Sequence, residues 1–308
     1  MWRRGVLPAN LAPLLGFLFH CRFPMTKPVQ ARPMTKLGFA AVGLALLGVA
    51  APCIAAASEA TGVCALDAGV PIEIAAVGAD LDLSTMDGRR VALSGIEFPS
   101  GAAARETVRR FLAERLGAGR LVFLAAATAA PDRWGGVPAG LFVEGVGTQA
   151  PLVSLAEALL EAGLARFRPD PAAFACRNGL LAAEAQARRR RLGLWASGEY
   201  HVVDAGRPEM LSGQMGMILV EGVVGAIGEA GGSLYLNFGP RRGDFAVVIW
   251  KRNLETFVRA GTSPRMLTGR RVRVRGLIDS AFGPRMELVS PAQIELVGDE
   301  LLGEARRR

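Results

Sequence analysis

Arg271, Arg273 and Arg275 alternate with Val272 and Val274, a period of two that puts three guanidinium groups on one face of a strand and two valines on the other. Guanidinium forks pair with phosphate oxygens, and Tyr235, with Phe238 close behind it, would offer bases an aromatic platform. The chemistry open to this set is capture of single-stranded nucleic acid or another polyanion. Two features weigh the other way. Tyr235 and Phe238 are an odd number of positions apart, so they face opposite sides of a strand unless a bulge intervenes, and alternating arginine is also the texture of a solvated sheet face. A further run, Arg188 to Arg191, closes a helical stretch, where the macrodipole favours cations and water takes up the charge.

A second set bears on phosphate chemistry. Val91-Ala92-Leu93-Ser94-Gly95-Ile96-Glu97-Phe98-Pro99, then Asp132-Arg133-Trp134-Gly135-Gly136-Val137-Pro138-Ala139, then Ala183 to Arg188 running on to Gly193-Leu194-Trp195, resemble the staphylococcal-nuclease-like (thermonuclease) family in order and spacing. The resemblance covers residues 68 to 197. It implies an OB barrel carrying helices, hydrolysis of phosphodiesters in DNA or RNA, and a Ca²⁺ cofactor held by carboxylates. It also implies two arginines that clamp the phosphate and a glutamate that acts as general base. At those three positions this chain has Ala92, Gly136 and Ser100. Ala92 and Gly136 have no side-chain donor, and the Ser100 hydroxyl is a poor base at neutral pH. Loss of one preorganised donor costs about 2.7–4 kcal/mol of barrier, and such losses do not simply add. The family's metal aspartate falls on Asp80 when counted forward from Val77 and on Leu81 when counted back from Asp87-Gly88, and its second falls on Glu97. Asp80 and Glu97 alone would make a weak site for a cation that takes six to eight oxygens; otherwise they are solvated strand-end acids.

The elements that must hold these groups follow from periodicity. Residues Ile72–Ala76, Asp80–Ser84 and Arg90–Ser94 alternate as half-buried strands, with Asp87-Gly88 as a hairpin turn. Ala102–Leu116 is helical, with Val108, Phe111, Leu112 and Leu116 on one face and Gly117 as its stop. Strands follow at Leu121–Ala125 and Pro138–Val143, and helices at Leu152–Ala162, ended by Gly163, and from Ala172 to Arg191. Trp195 after the last helix reads as core. Residues 198–213, rich in Gly, Ser and Pro, read as a linker. Strands then recur at Ile218–Ile227, Ser233–Phe238, Phe245–Trp250, Arg271–Asp279 and Arg285–Leu296, with a helix at Asn253–Arg259. That is the element order of an OB-fold, and the segment from Gly222 to Gly239 resembles the small OB-like units appended to some bacterial thermonuclease-family proteins.

Half of the 308 residues are apolar, which excludes a disordered chain and suffices for two modest cores. The formal charge is +8, but Arg3, Arg4, Arg22, Lys27, Arg32 and Lys36 lie ahead of the first acid, Glu59, so bulk charge is poor grounds for DNA binding. Leu37 to Ala57 holds no charged residue, follows Lys36 and ends in Ala55-Ala56-Ala57, the small residues a signal peptidase accepts. The pattern predicts cleavage near Ala57 and a periplasmic or secreted protein. The alternative is an inner-membrane anchor through the uncleaved run, which is nearly long enough to span a bilayer and would be the only membrane contact. Met25 and Met34 are both alternative starts, and residues 1–33 read as an artefact of start assignment. Pro52 before Cys53 argues against a lipoprotein. Export removes Cys21 and Cys53 and leaves Cys64 and Cys176, an even pair that favours a disulfide in an oxidising compartment; two buried thiols are the alternative. Only His201 would remain, with neither cysteine beside it, which disfavours a zinc site or a Cys–His nucleophile.

The sequence therefore predicts a β-barrel with helices, an SNase-type OB-fold over 64–197, followed by a second OB-like β domain over 214–298 and a charged tail over 299–308, behind a presequence over 1–57. The expected function is that of an exported nuclease-like binding or structural module, with single-stranded nucleic acid, another polyanion or an envelope protein as partner and no cofactor. The alternative is an active secreted Ca²⁺-dependent endonuclease using unaligned residues such as Arg89, Arg90, Arg105 or Arg133.

Overall fold

Leu81, Leu83, Val91 and Leu93 point inward while Asp80, Asp82 and Arg90 stay in water, the alternation that lets a short segment serve as one wall of a core. In a computed structural model of the chain, residue 64 and residues 69–298 are described, apart from 118, 128–130, 146–149, 215 and 282. The presequence, its cleavage region and the tail over 299–308 lie outside the described residues. The first half contains strands β1 (Val70–Ile72), β2 (Ile74–Val77), β3 (Leu83–Thr85), β4 (Arg90–Leu93) and β5 (Ile96–Glu97), helix α1 (Ala102–Leu116), strands β6 (Val122–Ala126), β7 (Gly136–Glu144) and β8 (Leu152–Ser154), helix α2 (Leu155–Glu161), strand β9 (Arg166–Phe167), and helices α3 (Arg177–Arg190) and α4 (Leu194–Ser197).

Six of these strands run in the order β1-β6-β7-β4-β3-β2, with β8 added to β7, as a curled half-barrel sheet; β5 pairs separately with β9. The strand expected over 72–76 is broken at Glu73, because its two halves pair with opposite ends of the sheet, β1 with β6 and β2 with β3. The Asp87-Gly88 turn forms as expected: Gly88 takes φ +84°, which a Cβ would resist, and its N–H reaches the Thr85 carbonyl at 2.9 Å. Helix α1 has the bounds the periodicity gave and buries Ala104, Val108, Leu112 and Leu116. Burial of each such leucine contributes about 1.5–3 kcal/mol. Leu152–Ser154, expected as the first turn of a helix, is instead a strand on the end of β7, and Ser154 caps α2 by accepting the Glu157 N–H at 3.4 Å. Helix α3 starts at Arg177 rather than Ala172. Cys64 and Cys176 are joined in a disulfide with Cα atoms 5.5 Å apart. It closes a loop whose entropy the chain model rates at roughly 5 kcal/mol.

The second half contains strands β10 (Val202–Asp204), β11 (Ile218–Val223), β12 (Ala226–Ala230), β13 (Ser233–Asn237) and β14 (Ala246–Trp250), helix α5 (Leu254–Arg259), and strands β15 (Arg271–Gly276), β16 (Ile278–Asp279), β17 (Arg285–Glu287) and β18 (Ile294–Leu296). Two sheets, β10-β11-β15-β18 and β12-β13-β14-β17-β16, enclose a core in which Val220, Val272 and Val274 meet Leu234, Leu236, Val247, Ile249 and Met286. Gly222 permits one close crossing, since a Cβ there would lie 2.5 Å from that of Ala205 and 2.8 Å from the Phe238 ring. The segment over 198–213, read from composition as a linker, supplies β10, which runs parallel to β11, and buries Tyr200, Val203, Ala205 and Leu211. The described residues form one compact unit. No helix of the described residues is long and apolar enough to cross a membrane.

Candidate functional site

Strand β4 lies parallel to β7 with Arg90 opposite Gly136 and Ala92 opposite Pro138. Residues two apart on a strand share a face, so Arg90 and Ala92 look into one cleft of about 250 Å³, lined also by Asp80, Asp82, Glu97, Asp132, Trp134, Gly136 and Arg168. Four of the five positions that the family resemblance singled out, Ala92, Gly136, Asp80 and Glu97, are thereby brought together. Ser100 stays exposed before α1 and does not line the cleft. At the centre the walls are small: a Cβ added to Gly136 would sit 3.1 Å from that of Ala92.

The two positions that the count allows for the metal aspartate differ in burial. Leu81 is in the core with φ +65°, while Asp80 is exposed. The Asp80 carboxylate accepts a short hydrogen bond from Arg105 Nη1, and Arg105 Nε donates to the Pro99 carbonyl at 3.1 Å. Glu97 is likewise engaged, by Arg166 Nη2 at 3.2 Å. Asp132 shapes its own loop, with Oδ1 accepting the N–H groups of Trp134 and Gly136 at 2.9 Å each. Among the described residues no three of His, Cys, Asp and Glu gather as metal ligands. With a guanidinium on each candidate carboxylate, the donor set does not fit the six to eight oxygens of a Ca²⁺ site.

Arg90 Nη1 donates to the Trp134 carbonyl at 3.1 Å. Trp134 is 67% exposed, and the Arg133 guanidinium lies 4.0 Å from its ring centre. Arg89 turns away to Asp87 on the hairpin, where that guanidinium pulls the Asp87 carboxyl well below its usual range. Sequence reasoning named Arg90 and Arg105 only as substitutes and missed Arg168. Arg90 was findable from its spacing to Ala92; Arg168, after β9, carried no signal.

The arginines expected to face a polyanion are elsewhere engaged. Tyr235 belongs to the β12-to-β16 sheet, while Arg271, Arg273 and Arg275 belong to the other, so they do not form one face. Arg275 is fully buried: Nη2 meets Glu184 Oε2 at 2.8 Å and also Glu295, and Nη1 donates to Glu184 Oε1 at 3.1 Å and to the Phe167 carbonyl at 2.9 Å. Arg273, 7% exposed, pairs with Glu221 at 2.7 Å and Glu295 at 3.3 Å; Arg271 pairs with Glu221 at 3.3 Å. Burial alone would weaken the Arg275 charge, but Glu184 and Glu295 outweigh it and hold the guanidinium protonated. The expected phosphate grip is a seam that ties β15 to α3 and β9. Arg188 of the basic run joins it, 3.5 Å from Glu184. Trp195 is core, edge-on to Tyr200 at 5.4 Å.

Residues 90–197 match the family described as Staphylococcal nuclease homologue. The match runs from the first residue of β4 to the last of α4, taking in Ala92, Glu97, Ser100 and Gly136 and leaving out Asp80 and the second β unit. The curled sheet with its helices agrees with an SNase-type OB-fold, and a further β domain follows it. No curated protein matches the chain.

Proposed function

We propose that this chain is an exported, nuclease-like protein that grips a nucleic-acid phosphate chain at the β4–β7 cleft and does not hydrolyse it. The observation that carries the reading is the juxtaposition of Ala92 and Gly136: where the family resemblance calls for two clamping arginines, the cleft has a methyl group and a hydrogen, so close that a Cβ added at Gly136 would lie 3.1 Å from that of Ala92. Hydrolysis needs neutralisation of charge that grows on the phosphoryl oxygens and a base to activate water. Neither demand is met by Ala92, Gly136 and the outlying Ser100. Binding asks less: Arg105 and Arg166 offset Asp80 and Glu97, and Arg90 on the cleft wall, with Trp134 exposed beside it and Arg133 over the Trp134 ring, supplies a cation and a stacking surface. Export is supported by the Leu37–Ala57 run and fits the Cys64–Cys176 disulfide, a bond that persists in oxidising compartments.

The test is anisotropy of labelled single-stranded DNA and RNA, run with a cleavage gel in Ca²⁺ and in chelator. Binding that weakens with salt, and no cleavage, is expected. Metal-dependent cleavage by the unaltered protein would overturn the loss of catalysis in favour of a secreted Ca²⁺-dependent endonuclease. Absence of salt-dependent binding would overturn the nucleic-acid role and leave an envelope protein as partner.

A further inference from the structure

A second and larger groove, of about 880 Å³, lies where the two β units meet. Its walls are Pro169, Pro171, Met217, Leu277, Ile278 and Val289. Leu277 is 68% and Val289 58% exposed, so two large apolar side chains stand in water beside a concave surface, the setting in which a partner is expected. Both residues of β16 line the groove, and β16 is the terminal strand of its sheet, paired with β17 on one side and with no strand on the other among the described residues. An edge strand presents unpaired N–H and C=O groups that an added strand can satisfy.

Charge selects among occupants. The groove carries the carboxylates of Glu97, Asp279 and Glu287, of which Glu97 is held by Arg166 at 3.2 Å, so that Asp279 and Glu287 make its acidic face. Of its two guanidinium groups, Arg275 is neutralised within the seam by Glu184 and Glu295, and Arg168 has Asp170 at 3.6 Å. Such a rim repels a phosphate chain and favours a cation. The groove also shares Glu97 and Arg168 with the β4–β7 cleft, so an occupant would end beside that cleft.

We infer that this groove receives an extended segment of a partner protein, alternating apolar side chains with a basic residue and adding to the free edge of β16. Apolar side chains of the segment cover Leu277 and Val289, its backbone pairs along residues 277–279, and its basic side chain meets Asp279.

The experiment pans a random displayed-peptide library on the intact protein and on the Leu277→Asp, Val289→Asp double variant. Both positions are exposed, so the variant keeps its fold, which an unchanged melting temperature checks. Enriched peptides alternating apolar and basic residues are expected. A synthetic copy should bind the variant about tenfold or more weakly, and amide exchange at residues 277–279 should slow in its complex. No enriched pattern, equal binding to the double variant, or unchanged exchange at 277–279 would overturn the proposal. So would a dimer that the double variant dissolves, which gives the groove to a second copy, or loss of labelled oligothymidylate binding in that variant, which gives it to nucleic acid.

Discussion

At the β4–β7 cleft, Arg105 meets the carboxylate of Asp80 with that side chain 82% exposed; at the seam between β15 and α3, Arg275 meets the carboxylate of Glu184 with both side chains fully buried. A pair of arginine and carboxylate thus does different work in the two places. In water the attraction is screened and the ions keep most of their hydration, so a cleft pair contributes little to stability. In the seam hydration is gone, and Glu184 and Glu295 offset the cost of burying the Arg275 charge. Whether replacing the whole set by apolar residues would raise or lower stability depends on packing, but removal of one partner strands a buried charge. Arginine in a sheet of this protein is therefore informative only together with its burial.

The contrast is broken most severely at Arg275. Arg275→Met should strip Glu184 and Glu295 of their shared buried partner, leaving them only Arg188 and Arg273, and cost about 3–5 kcal/mol in urea unfolding; a cost below about 1 kcal/mol would place the seam with the surface pairs.

A smaller effect, with a pH signature, is expected at Glu295. Burial would raise its carboxyl, but Arg275, Arg273 and Arg188 outweigh burial and hold it below its ordinary 4.5. A depressed folded value means stability that is present above the unfolded value and is lost as pH falls through the folded one. Glu295→Gln should therefore be less stable than the parent at pH 7, by about 1–3 kcal/mol, with the gap closing as pH falls below about 4.3. Thermal melts from pH 7 to pH 3 measure it, and a constant gap would contradict the assignment.

The smallest effect on stability belongs to the cleft. Arg90→Ala should change unfolding by no more than about 0.5 kcal/mol, yet lower the salt slope of oligonucleotide binding by about one. An unchanged slope would remove Arg90 from the phosphate contacts.

How much could be read beforehand varied with the residue. The Asp87-Gly88 turn and helix α1 were legible because their signals are local: a glycine for φ above zero, and apolar residues at helical spacing. Leu152–Ser154 was misread because its apolar pattern suits either a first helical turn or an edge strand, and only the free end of β7 selects the strand. The cleft was half legible. Ala92, Glu97 and Gly136 could be named from motif spacing, whereas Arg168 reaches the cleft through a β5–β9 pairing that no motif records.

By itself the sequence determined helix α1, the Asp87-Gly88 turn, the SNase-type half, the β-rich second half and the cysteine pair, all of which depend on neighbours along the chain or on residue count. The tertiary structure decided which side of each charge faces water. Arg271, Arg273 and Arg275 alternate identically whether their strand meets solvent or Glu184 and Glu295, because a period of two fixes which residues share a face and is silent on what that face touches.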